Sequence, residues 1–224
     1  MMKTTLLVSA AALSLMACTA KAESNNYKVT VEDPSIEEGA MVYMLNFDTS
    51  DKMDSTVVAS GKAVFEGNIE TPAFVRLVTE GDRKGMFILE KGNIDVKDDD
   101  ATGTELNDRL AVYGSKVMEL NSQFSSLSPD STDAREALYN RYLAMTDSMM
   151  NANIDNPIGY YLFLQKAYEM DRAELDAALA KTPSLKGYTR VQKVLNTFER
   201  QDATAPGKMF TDFEVTYDGN THRL

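Results

Sequence analysis

"MDSTVVASGKAVFEGNIETPAFVRL", residues 53–77, decides how this chain folds. Val57 and Ala59 before Ser60-Gly61, and Ala63 and Phe65 after it, are apolar residues two apart, and Pro72 opens a further apolar run. A period of two puts alternate side chains on opposite faces of a strand, and a Ser-Gly pair between such runs signals a hairpin turn. The same rhythm extends outward in both directions. "YKVTV" alternates at Tyr27, Val29 and Val31, and "MVYMLNF" places Met41, Tyr43, Leu45 and Phe47 on one face. "GMFILE" and "NIDVK" follow, bounded by Gly, Asn and Asp. Short strands cut by turn signals predict an antiparallel β-sandwich or barrel over residues 27–102, with Pro34 and Pro72 at strand ends or edges.

At residue 103 the period changes. Leu106, Leu110, Tyr113, Val117, Leu120 and Phe124 fall three or four apart, one face of a helix. Asp133 with Glu136 reads as a capping box for a second helix striped by Leu138, Tyr142, Met145 and Met149. Asn156-Pro157 opens a third, Asp171 with Glu174 caps a fourth, and residues 187–201 carry Val191, Val194, Leu195 and Phe198 on a last one. The fold class is therefore α+β, an antiparallel β-sandwich or barrel-like N-terminal half followed by a helical region over residues 103–202. Residues 203–224 read as a linker and a hairpin, with Phe210, Phe213 and Val215 on its first strand and Asp218-Gly219 at its turn.

The first residues have a different purpose. Lys3 and the apolar run at residues 6–16 form a secretory leader, too short to span a bilayer. The run ends in "LMAC", residues 15–18, which resembles the lipobox of bacterial lipoproteins. That resemblance implies a signal peptide at residues 1–17, lipidation of Cys18 and a tether over residues 18–26. It implies anchoring in the cell envelope, at the outer membrane given Thr19 after the cysteine. Cys18 is the only cysteine, so once lipidated it leaves no thiol for a disulfide, a CxxC pair or a metal.

The formal charge of −11 disfavours nucleic acid as a partner, because an acidic surface repels phosphate. The membrane, through the lipid, and envelope proteins are the expected partners. No catalytic, cofactor-binding or metal-binding residue is nominated. "DDDATGTE", residues 98–105, departs from a calcium loop because Arg109 stands where the bidentate glutamate belongs. It reads as a solvated acidic loop. His222 is the one histidine and has no partner in the pattern. Met118, Met145, Met149, Met150 and Met170 invite a copper or heme reading, but most sit at helical spacing beside Leu and Tyr and read as core. Tyr160, Tyr161 and Tyr188 allow an aromatic strip for a sugar, or a core rim with outward hydroxyls.

Three stretches carry a family resemblance. Residues 53–77 match a pattern iDS-x-x-v-x-x-G-K-F-x-F-x-G-x-v-x-x-P, with Ala63 where the pattern prefers an aromatic. "FILEKGNIDV", residues 87–96, matches f-x-l-E-x-G-x-I-x-v, and "GTELNDRL", residues 103–110, matches G-T/S-x-x-N-x-x-L. Together they resemble the uncharacterised β-sandwich and helical region that precedes a thioredoxin-like domain (TlpA or AhpC/TSA type) in thiol-disulfide oxidoreductase lipoproteins of Bacteroides-type bacteria. Gly207, Phe210, Asp212, Phe213, Asp218, Gly219 and Leu224 resemble the opening of that redox domain. The resemblance implies a non-catalytic N-terminal region, without its CxxC, that positions or docks a redox domain. The alternative is a free-standing envelope lipoprotein that binds a ligand or a protein partner, with an unrecognised hydrolase ranked last.

Overall fold

The computed structural model describes residues 25–80, 82–97, 100–208, 214–217 and 219–223. Eight strands come first: β1 (Tyr27–Glu32), β2 (Met41–Asn46), β3 (Lys52–Val57), β4 (Ala63–Gly67), β5 (Ala73–Val78), β6 (Arg83–Leu89), β7 (Gly92–Lys97) and β8 (Asp100–Thr102). They build two four-stranded sheets, ordered β4-β1-β7-β8 and β3-β2-β5-β6. Alternation drives their facing. Val29, Val31, Phe65, Ile94 and Val96 of the first sheet meet Val42, Met44, Val75, Leu77, Phe87 and Leu89 of the second in one buried core. The opposite face of the first sheet is polar and carries the ion pairs Lys28–Glu66 and Lys62–Glu32, at 2.8 and 2.7 Å.

The second sheet is buried on both sides over part of its width. Phe74 and Ile88 point away from the sandwich core and pack on Leu106, Ile158 and Leu162 of the helices. This is why "FVRLV" and "MFILE" are nearly continuous apolar runs and not strict alternations. Met41, Tyr43, Leu45 and Phe47 share this outer face, and the core takes Val42 and Met44.

The helices are α1 (Glu105–Ser126), α2 (Thr132–Ala152), α3 (Pro157–Ala167), α4 (Arg172–Lys181) and α5 (Thr189–Ala203). The keystone is α3, apolar nearly all round and buried accordingly. Ile158 and Leu162 face the sheet, while Tyr160, Phe163, Leu164 and Ala167 join a second core with Leu175, Leu179, Leu185, Val191 and Val194. Three layers result: sheet, sheet, helices. A closing hairpin pairs β9 (Glu214–Tyr217) with β10 (Asn220–Arg223), and every β9 residue is exposed.

Several expectations need correction. Ser60-Gly61 is a hairpin turn, with both φ values positive at 54° and 72°, but the hairpin it closes is only one bridge long. Beyond the bridge between Ala59 and Lys62 the chain divides, β3 pairing with β2 and β4 with β1. The turn is an arch between sheets. The sandwich is not wholly antiparallel either, since β1 and β7 run parallel, joined by the long excursion through β2 to β6, of which only β4 lies in their own sheet. Asp133 lies inside the first turn of α2, whose cap position is Ser131, and no side chain bonds there. The expected acidic loop contributes β8, an edge strand with Ala101 buried against the core. A 3₁₀ turn at Pro183–Gly187 takes the residues before Tyr188, so α5 starts at Thr189.

Candidate functional site

Two carboxylates of the sandwich reach into the helical layer, and each closes a helix that lacks its own cap. Thr104 stands at the cap position of α1 without bonding there. Glu90, just past β6 and buried, accepts from the backbone N–H of Leu106 at 2.8 Å and of Asn107 at 3.4 Å. A carboxylate among the free N–H groups of a helix start is favoured by hydrogen bonding and by the helix dipole alike. Asn107 completes the joint. Its Oδ1 accepts from Ile88 N–H at 2.9 Å, and its Nδ2 donates to Ile88 C=O and Thr104 Oγ1, both at 2.8 Å. The buried amide thus pairs with β6 as a neighbouring strand would.

Two glycines allow this close approach. Gly103 has φ +96°, and a Cβ there would lie 2.6 Å from Asn93 C=O. Gly92 has φ +125°, with Thr104 Cγ2 at 2.9 Å from an added Cβ. Glu90, Gly92, Gly103, Thr104 and Asn107 are positions of the motifs read from the sequence, here gathered into one sheet-to-helix joint.

The second joint is built on Asp48, in the turn after β2. Its Oδ1 accepts from Tyr160 Oη at 2.6 Å and from Arg190 N–H at 3.0 Å, and its Oδ2 accepts from Thr189 N–H at 2.8 Å. The cap position of α5 is Tyr188, which makes no capping bond, so Asp48 serves as the cap from outside the helix. Arg190 returns the contact: Nε donates to Phe47 C=O at 2.6 Å, and the guanidinium lies 4.4 Å from the Phe47 ring centre. Burial alone would raise the Asp48 pKa, but the bonds from Tyr160 and from the Arg190 and Thr189 N–H groups outweigh it and hold the carboxyl below the usual range. Burial, followed by the bond to Asp48, pushes the Tyr160 phenol far up, so it stays a neutral donor.

Tyr160, Tyr161 and Tyr188 divide between two settings. Tyr160 is buried and stacks on Tyr188 with ring centres 3.7 Å apart and planes 4° apart. Tyr161 stacks on Phe74 at 4.7 Å. They are core and joint residues. Met149, Met150 and Met170 pack against the helical cores, whereas Met118 is 72 % exposed. His222 lies on β10, opposite Val215 and exposed. Among the described residues no group of three or more His, Cys, Asp or Glu is placed to hold a metal ion. Among them, too, no helix is long and apolar enough to cross a membrane. Cys18, Asp98, Phe210, Asp212, Phe213, Asp218 and Leu224 lie outside the described residues.

Sequence reasoning does not identify Asp48 or Arg190. The available hint is local: α5 begins after Tyr188, a poor capping residue, so its cap has to come from elsewhere.

Fold and joints together define an α+β protein, a β-sandwich bolted to a helical layer by carboxylate caps. Residues 27–121 match a family described as a domain of unknown function, DUF4369. The matched stretch takes in both sheets and α1 as far as Asn121, with the Glu90–Asn107 joint inside it. No curated protein and no solved structure matches the chain.

Proposed function

We propose that this chain is the non-catalytic N-terminal region of a lipid-anchored thiol-disulfide oxidoreductase, holding or docking a thioredoxin-like domain at the cell envelope. The observation that carries the reading is the hairpin of β9 and β10. Val215 is 48 % and Tyr217 71 % exposed, and a two-stranded hairpin is marginal in water without a sheet or core to cover it. That is how the first hairpin of a further domain would look. The joints support the reading from the other side, because Glu90, Asn107 and Asp48 spend their bonding capacity on holding helices. Cys18 supplies the anchor in this proposal, and the acidic chain engages the envelope by lipid and protein contacts. The reading frame beyond Leu224 tests it. A CxxC within a few dozen codons supports the proposal, and a stop codon directly after Leu224 defeats it.

One observation favours the second reading, an autonomous binding lipoprotein. A groove of about 450 Å³ runs between the outer face of the second sheet and the helices, lined by Phe74, Met86, Tyr113, Tyr142, Tyr161 and Gln165. Its size lies within the range of small-molecule sites, mostly apolar with a few polar groups. Thermal-shift screening of the chain against envelope extracts would reveal such a ligand.

A further inference from the structure

We propose that Asp48 is a positioning residue: it fixes the orientation of α5 on the body and thereby the direction in which the chain runs on to the hairpin. This rests on the module reading and names the part that does the positioning. The helix α5 is held differently along its length. Its middle lies on α3 and the 3₁₀ turn through Val191, Val194, Leu195 and Phe198, an apolar contact that resists separation but resists swivelling poorly. Directional bonds gather at the N-terminal end, where Asp48 takes the Thr189 and Arg190 N–H groups and Arg190 takes Phe47 C=O. At the other end residues 199–203 are exposed, with an ion pair of 3.8 Å between Arg172 and Asp202. Such a surface pair fixes little.

The helix is therefore pinned at one end and passes the chain on from the other. At about 22 Å long, a tilt of roughly 10° about the pin moves its far end by about 4 Å. Asp48 belongs to the sandwich, so its bonds refer α5 to the sheets and not merely to the neighbouring helices. Tyr160 holds the same carboxylate from α3 at 2.6 Å, which ties all three bodies to one point.

Residual dipolar couplings on the ¹⁵N-labelled chain test this, because they report orientation without added labels. In the unaltered chain the amides of β1, β5, α3 and α5 should fit a single alignment frame. In Asp48→Ala the α5 amides should need their own frame, with an amplitude reduced at least twofold, while β1, β5 and α3 keep theirs. Arg190→Ala should move α5 in the same sense with Asp48 in place, and it decides the matter if Asp48→Ala does not fold. The proposal is overturned if α5 stays in the common frame in the folded variants, or if sheets, α3 and α5 loosen together. Neither result bears on whether a redox domain follows, and a stop codon directly after Leu224 would leave these couplings unchanged.

Discussion

Asp48 accepts a 2.6 Å hydrogen bond from Tyr160 although 112 residues separate them, and the same carboxylate caps α5. Replacing it by alanine should cost about 1–2 kcal/mol, the usual loss for a helix cap. Urea denaturation of the chain and its Asp48→Ala variant measures this. An unchanged midpoint would mean the joint contributes nothing.

The same carboxylate sets an acid dependence. Its folded pKa lies below the unfolded value of about 3.9, so its contribution is complete above that pH and is lost as pH falls through the lowered folded value. Stability measured between pH 6 and 2 should therefore fall less steeply at the acid end in Asp48→Asn than in the parent chain. Parallel curves would contradict the capping role.

Asn107 should be less replaceable than its position suggests. Alanine there leaves the N–H and C=O of Ile88 without partners in a buried setting, at about 1–3 kcal/mol for each orphaned group. Asn107→Asp should also be poorly tolerated, because a carboxylate has no donor for Ile88 C=O. Thermal melts compare the two variants, and an Asn107→Asp chain as stable as the parent would exclude the strand-like pairing.

Two glycines should respond with opposite sign. Gly103 has φ +96°, and an added Cβ would meet Asn93 C=O at 2.6 Å, so Gly103→Ala should destabilise. Gly114 lies inside α1, and an added Cβ would meet nothing within 4 Å, so Gly114→Ala should stabilise by about 0.5–1 kcal/mol. Matched denaturation curves check both signs.

What can be read from the sequence divides along a physical line. Periods of two and 3.6 are local, and they locate the strands, the stripe from Leu106 to Phe124, and the caps at Asn156 and Asp171, both present. Pairing is not local. Ser60-Gly61 has the residues of a hairpin turn, but which partner each strand takes is decided by burial across the sandwich, and β3 and β4 part company. The joints escape for a similar reason. Asp48 is 141 residues from Thr189, and no pattern in either segment signals the other. Glu90 and Asn107 are legible as members of a motif, while their roles emerge only when β6 and α1 stand side by side.

Hydrogen exchange across the whole chain tests the central claim most directly. If the hairpin is the opening of a further domain, amides of β9 and β10 should exchange within seconds, at rates near those of an unfolded chain. Amides of β2, β5 and α3, which pack in the buried cores, should by contrast be slowed by several orders of magnitude. Hairpin protection equal to that of β2 and β5 would contradict the account: the hairpin would then belong to the body, and the autonomous binding lipoprotein would be the better description.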